Sequence, residues 1–466
     1  MKKFLLIICS TLCAINSQAQ FVSQNINLFA RWFDSTVVAE PNYGIKYNSI
    51  WGWKNTAQNK EYAILGSSGG TFFIDVTNPA NPIKCDYVAG RRGNCIWREY
   101  KTYQHYAYMV SDDGAPNSFQ IMDLSYLPDS VHVVYDSDSL FVRSHTIFID
   151  GSKMYCGYNT TLHTQYSMAV YDLAANPERP VFLRSLNQDS ASINVVHDML
   201  VRNDTIYASC GYQGLHVYKY VGGTFSEIGS LITYPAKGYN HSSAITDDGH
   251  TMIFCDEVPT GLAVKSVDIS DLVNISVNTT FKADTSDSAT AHNPYILGNN
   301  AIIAYYQAGL QIFDISNPSV VTRTGFYDTN PTNGAGLNNP NYTGCWGAYP
   351  FLPSGIILAS DMQNGLFILD ATEAIGVKNI SLETNAFSLY PNPAQEQLNV
   401  VFKNHIAEEA LLTVYNLSGK LIQQEKINPS SANTVHSINT QKLTAGMYFV
   451  KVMYGDKIYF KKFSKV

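Results

Sequence analysis

A pattern that returns every 44 to 54 residues constrains this chain of 466 residues more than any other feature. Its clearest copy runs from Ala291 to Pro318 and reads as three strands. An alternating run opens at His292 and stops at Gly298-Asn299-Asn300. A second apolar run, Ala301 to Tyr306, closes on Gln307-Ala308-Gly309. A third, Leu310 to Ile315, carries Asp314 and ends in Ser316-Asn317-Pro318. Short apolar runs between turn residues describe a tight antiparallel meander. The third strand returns around Asp75, Asp123, Asp172, Asp268 and Asp370, and in a looser form at Lys219. The first strand begins each time with an imidazole or an indole: Trp51, Trp97, His145, His197, His241, His292 and Trp346.

Most units also carry a fourth strand, such as Val320 to Phe326. Seven such units predict an all-β chain forming a seven-bladed β-propeller, because radial repetition leaves only short, protected sheet edges. The seventh unit offers no fourth strand after Asp370, and Asn27 to Phe33 is a spare strand ahead of the first unit. Pairing the two closes the ring.

The segment 1–20 reads as a signal peptide, with Lys2-Lys3, a short apolar core and Ser17-Gln18-Ala19 before the cut. No other stretch is apolar for long enough to span a bilayer as a helix. The boundaries follow: 1–20 signal, 21–374 propeller, 375–386 polar linker, and 387–466 a small β-sandwich of alternating strands and glycine turns. The formal charge of −7 is unevenly spread. Nine lysines face five acidic residues over 387–466, so the propeller itself is strongly acidic. That argues against nucleic acid as a partner, since binding it needs clustered Lys and Arg.

Six cysteines remain after the signal, with no C-x-x-C spacing, which argues against a zinc ribbon. Export permits disulfides, and Cys85 with Cys95 is the pair to test first.

In a propeller the first strand of each unit lines the channel. The ring of Trp51, Trp97, His145, His197, His241, His292 and Trp346 is therefore expected to circle one channel mouth and to bind any ligand. Asp256 and Glu257 are its nearest acidic helpers, and Asp112, Asp113, Asp361 and the loop from Asp328 to Gly344 lie on the same face. His145, His197, His241 and His292 suit a divalent metal, the one candidate cofactor, or acid–base work. The same residues suit pegs that satisfy backbone groups at strand starts, and that reading is set above the metal. The repeated Asp residues read as Asx turns. No H-E-x-x-H, Walker loop or dinucleotide fingerprint occurs, so no motif of these kinds indicates an enzyme.

Two resemblances add to this reading. LYPNPA at 389–394, VYNLSGKLI at 414–422, LTAGMYFVKV at 443–452 and the KKFSKV tail resemble the type A C-terminal sorting domain of the type IX secretion system of Bacteroidota. The resemblance implies that the type IX secretion machinery is a partner through 387–466. It also implies that the product is released or held at the cell surface. IWGW at 50–53, GTFFIDVTNPANP at 70–82, SHTIFID at 144–150, VHDM at 196–199, NHSSAITDDG at 240–249 and CDE at 255–257 resemble the choice-of-anchor B family with its LVIVD repeats. This chain departs from the repeat at Lys219 and at the three tryptophans. Asp-Ser/Thr steps such as Asp34-Ser35 and Asp287-Ser288 are similar to the O-glycosylation motif of exported Bacteroidota proteins.

Two function classes stay open. One is a secreted or surface binding protein for a polysaccharide or another surface protein. The alternative is a metal-dependent carbohydrate hydrolase or lyase that uses the His ring.

Overall fold

A computed structural model of the chain describes residues 21–111, 119–283, 289–331, 343–376, 387–403, 409–416, 421–429, 431, 433–454 and 457–466. The segment 1–20, Asp112 and Asp113, Asp287 and Ser288, the 332–342 part of the long loop and the 377–386 part of the linker lie outside the described residues. The chain is all-β, with one short 3-10 turn at Leu186–Gln188 among the described residues. It divides into two compact units, Met1–Gly376 and Val377–Val466.

Among the described residues the first unit holds six four-stranded sheets and one of five strands, all antiparallel. In chain order their first strands are Tyr47–Asn55, Arg98–Tyr103, Thr146–Asp150, Asp198–Arg202, Asn240–Ile245, Pro294–Leu297 and Cys345–Tyr349. Each sheet then adds strands in sequence order, as in Tyr47–Asn55, Lys60–Ser67, Gly70–Asp75 and Ile83–Ala89. The last sheet takes its fourth strand from the N-terminus. Asn27–Trp32 pairs with Gly365–Asp370, Asn27 opposite Asp370 and Trp32 opposite Leu366. A two-residue strand, Ser23–Gln24, adds a fifth member to the sixth sheet beside Phe326 and Tyr327.

Side chains alternate across a strand, so a strand buried on both faces serves two cores. Ala301 and Ile303 pack with Ile253 and Val264 of the fifth sheet. Ile302 and Ala304, on the same strand, pack with Ile357 and Phe367 of the seventh. The same holds all the way round: each apolar cluster of this unit but one is shared by two successive sheets. The last joins Leu358, Leu366 and Ile368 of the seventh sheet to Ile50, Leu65 and Phe72 of the first. The exception is a small group at the strand starts, Ile45, Ile96, Tyr306, Trp346 and Met362. Burying one such side chain contributes about 1.5–3 kcal/mol, so the interfaces between sheets dominate the stability.

The repeated acidic residues close turns. Oδ1 of Asp75, Asp123, Asp172, Asp268, Asp314 and Asp370 each accepts a hydrogen bond from the backbone N–H two residues on, at 2.8–3.2 Å. Where Lys219 replaces the Asp, its ammonium instead donates to the Asn203 carbonyl at 2.6 Å.

Two expectations are corrected, those for the cysteine pair and for Asp256. Cys85 and Cys95 are not bridged to each other. Cys85 sits on the strand opposite the Phe73–Ile74 step, whereas the Cys95 N–H bonds Ser68 at the other end of the sheet. That is about five residues of strand, or roughly 17 Å, far beyond disulfide reach. Asp256 faces away from the ring, into a buried pair with Lys265 at 2.5 Å, and accepts a bond from the Tyr234 hydroxyl at 2.9 Å. Asp361 pins its own loops, accepting from the Thr329 hydroxyl at 2.7 Å and from the Gln363 and Asn364 N–H groups at 2.9 and 2.8 Å.

The second unit has a three-stranded sheet, Phe387–Tyr390, Gln397–Phe402 and Val435–Asn439. Its four-stranded partner is built from Leu421–Ile427, Ala410–Asn416, Gly446–Tyr454 and Lys457–Lys465. Phe387, Val400 and Ile438 of one share a core with Leu412, Val450 and Phe463 of the other, which makes a sandwich.

A chain lacking residues 21–34 loses the cover on Gly365–Asp370, the buried Ile26 and the edge-on packing of Trp32 against Phe72 at 5.1 Å. We expect a loss of at least about 3 kcal/mol in urea unfolding, and self-association by size-exclusion chromatography through the bare edge. Asp361 gives a second expectation. Burial raises its pKa to about 6 from 3.8. The folded state therefore holds the proton more tightly than the unfolded chain. The cost of the charge is absent below about pH 4, grows as pH rises through 6, and is full above it. Asp361→Asn is expected to abolish the fall in stability between about pH 4 and 6 and to leave the protein at least as stable at pH 7. A pH series of urea midpoints checks this against a term on the order of 3 kcal/mol.

Candidate functional site

The first strands begin at a common height because the backbone fixes them there. The N–H groups of His145, His197 and His292 each donate to a carbonyl of the second strand: Gly157 at 3.1 Å, Ser209 at 2.8 Å and Ala304 at 2.9 Å. His241 lies at a bulge between Asn240 and Ser242. Successive sheets then bring neighbouring rings together. Centroid distances are 6.3 Å for Trp97–His145, 4.1 Å for His145–His197, 4.3 Å for His197–His241, 4.5 Å for His241–His292 and 4.8 Å for His292–Trp346.

Six of the seven sequence-predicted ring residues thus form a continuous arc. Trp51 does not join it. A bulge between Tyr47 and Ile50 lengthens the first strand of its sheet, so the equivalent height falls near Asn48 and Ser49. The Asn48 amide donates to the Ile96 carbonyl at 3.0 Å. Trp51 lies further along the strand, edge-on to Tyr349 at 4.8 Å, with the Lys101 ammonium 4.2 Å over its ring.

The arc is a collar between two cavities, a correction to the expected mouth. One cavity of about 280 Å³ is lined by the collar together with Trp51, Glu99, Lys101, Asp198, Tyr295 and Phe351. The other, about 660 Å³, meets the same imidazoles and is lined by Tyr158, Gln165, Asn194, Tyr212, Tyr239, Glu257 and Tyr306. In the smaller one Glu99 bridges Lys101 at 2.7 Å and the Ser49 hydroxyl at 2.8 Å. Asp198 accepts from Thr146 at 3.0 Å and its carboxyl is pushed up by burial.

Two of the histidines peg one sheet to the next. Nδ1 of His197 donates to the His241 carbonyl at 3.3 Å, and Nδ1 of His292 to the Trp346 carbonyl at 2.5 Å. A carbonyl only accepts, so Nδ1 carries the proton in each ring and Nε2 keeps its lone pair. Nδ1 of His241 makes no hydrogen bond of good geometry, although the His292 carbonyl beside it pulls the ring pKa weakly upward. Burial and then the neighbouring imidazole hold His197 and His241 well below 6.5, and burial takes His292 to about 3. These rings are neutral at pH 7.

Glu257 faces the collar where Asp256 does not, because adjacent residues of an extended chain point to opposite sides. Its Oε2 is 3.6 Å from Nε2 of His241, and its Oε1 accepts the Tyr306 hydroxyl at 2.8 Å. Burial raises its pKa. Ligand-type atoms of His197, His241 and Glu257 all lie within 4.8 Å of one another. His145 and His292 stand outside that trio, so the four imidazoles expected to share an ion are steps along an arc.

The tyrosines that line the larger cavity are not singled out by the repeat. A signal exists: Tyr212 and Tyr306 follow the second strand of a unit, and Tyr158 lies near the end of one. Tyr158 and Tyr306 also hold φ of 46° and 32°, a strained region for aromatic residues and one that concentrates at functional sites.

Comparisons with known proteins match two segments of the chain. Residues 388–465 match the model of the secretion system C-terminal sorting domain, which points to export through the type IX system to the cell surface or beyond. Residues 290–329 match the LVIVD repeat. No curated protein matches the chain significantly. Among the described residues no helix is long and apolar enough to cross a membrane.

Among the solved structures similar at low identity are the following three. PorZ, a surface component of the type IX secretion system of Porphyromonas gingivalis, is 10% identical with a TM-score of 0.47. The match covers 93% of this chain and 61% of PorZ, so the chain spans less than two thirds of that protein. The periplasmic gluconolactonase PpgL of Pseudomonas aeruginosa is 11% identical over 84% of this chain and 99% of its own, with a TM-score of 0.48. A putative 6-phosphogluconolactonase of Bacteroides uniformis is 12% identical over 80% and 96%, with a TM-score of 0.47. Similarity at this level leaves the activity of each with that protein.

Proposed function

We propose that the chain is an exported binding protein of the choice-of-anchor B type. Residues 21–374 form a seven-bladed β-propeller closed by the N-terminal strand, and 387–466 serve as its sorting domain after a signal at 1–20 and a linker at 375–386. The cores shared between successive sheets, the last with the first, support the ring. The LVIVD match over 290–329 supports the repeat reading.

The observation that carries the functional reading is the cavity of about 660 Å³ beside the collar. Its wall combines four tyrosines with the amides of Gln165 and Asn194. Flat aromatic faces with few, fixed polar groups suit a neutral, hydroxyl-rich ligand such as a saccharide end, which stacks on the rings and bonds at its edge. Among the described residues no lysine or arginine lines this chamber, which disfavours an anionic ligand.

Two experiments test the proposal. Removing residues 377–466 is expected to leave the protein folded in the periplasm and absent from the medium, read by cell fractionation and immunoblotting. Calorimetric titration with a panel of neutral oligosaccharides reads the binding. Tyr212, which is exposed and packs edge-on to Tyr239 at 5.1 Å, can be removed without opening a core. Tyr212→Ala is expected to weaken binding by a factor of about 2 to 10, the worth of one aromatic contact. Asp314→Ala should cost about 1 kcal/mol of stability through its lost turn bond and leave the affinity unchanged.

A further inference from the structure

We infer that His197, His241 and Glu257 form a three-ligand site for a divalent transition-metal ion of the zinc class. The trio is contributed by two successive sheets: His197 heads the first strand of one, and His241 and Glu257 flank the first hairpin of the next. Their ligand atoms lie within 4.8 Å of one another, and the His241–Glu257 pair is at 3.6 Å. The edge of a tetrahedron with bonds of about 2.0–2.1 Å is roughly 3.4 Å. An ion at the centre thus draws the trio together by no more than about an ångström or so, which side-chain torsions supply.

Three further observations favour a metal. His197 is in the form that coordination requires. His197 gives its Nδ1 proton to a backbone carbonyl, leaving Nε2 with its lone pair, and neutral imidazole is the ligand species. Orienting groups are in place as well, since the Tyr306 hydroxyl holds Oε1 of Glu257 at 2.8 Å and leaves Oε2 toward His241. Charge is the third. The Glu257 side chain is only 12% exposed, its ion-pair neighbour is a neutral imidazole, and no lysine or arginine of the described residues lies within salt-bridge distance. A buried carboxylate calls for a compensating cation.

Two imidazoles and one carboxylate leave a fourth position open. That position faces the larger cavity, as at an ion that accepts an exogenous oxygen ligand. The inference does not depend on what the cavity binds, and its test uses the metal alone.

The full chain, purified without a histidine tag and stripped with chelator, is titrated with Co²⁺ and with Zn²⁺. One equivalent of Co²⁺ is expected to give the intense visible bands of a tetrahedral or five-coordinate site. One equivalent of Zn²⁺ should displace it and raise the melting temperature. Glu257→Gln and His241→Ala are expected to abolish the bands. Tyr306→Phe, which leaves all three ligands, should weaken Zn²⁺ binding by about tenfold. Failure of the parent to develop bands or a melting shift at one equivalent overturns the inference. So does parent-like affinity in both Glu257→Gln and Tyr306→Phe, which places the ion elsewhere. If His241→Ala does not fold, those two conservative variants decide the matter.

Discussion

The first unit depends on one constraint: its sheets have no core of their own. Each strand deals alternate side chains to the sheet before it and the sheet after it. Ile302 and Ile303 are adjacent in sequence yet belong to different clusters. A single sheet would expose both faces, so stability resides in contacts between neighbours and is complete only where the seventh sheet meets the first. The side-chain pegs follow the same logic. His197, His292 and Asn48 each tie one sheet to a backbone carbonyl of the next.

Where the sequence speaks clearly, the signal is local and repeated. Strand runs, Asp-closed turns and the spacing of His145, His197, His241 and His292 all come from rules that act over a few residues, and seven copies reinforce them. Failures come from single irregularities. The bulge before Ile50 moves the collar position away from Trp51, and a bulge leaves no mark in a pattern of apolar residues. Ser23–Gln24 is too short and polar to read as a strand until Tyr327 is seen beside it. Cys85 and Cys95 are close along the chain but are held apart by the length of an extended strand.

Candidate site residues divide in the same way. Which residues sit at strand starts is a matter of spacing and is legible. Which of two neighbouring carboxylates faces inward is a matter of phase, and Asp256 and Glu257 differ in nothing but that. Lys265 settles it by capturing Asp256 across the hairpin, a pairing of residues nine apart that no periodicity announces. The cavity tyrosines are equally hidden, because an aromatic residue in or after a strand reads as core, and the positive φ of Tyr158 and Tyr306 leaves no mark in the sequence.

The pairing of Asn27–Trp32 with Gly365–Asp370 joins segments separated by more than three hundred residues. Such a contact is about the most non-local a chain of this length can make, and non-local pairing is slow because the intervening chain must be ordered first. The sheet made last is therefore completed by the segment made first. Until both segments are present, Gly365–Asp370 keeps an unpaired edge. A chain that lacks either end of the unit therefore leaves that sheet one strand short.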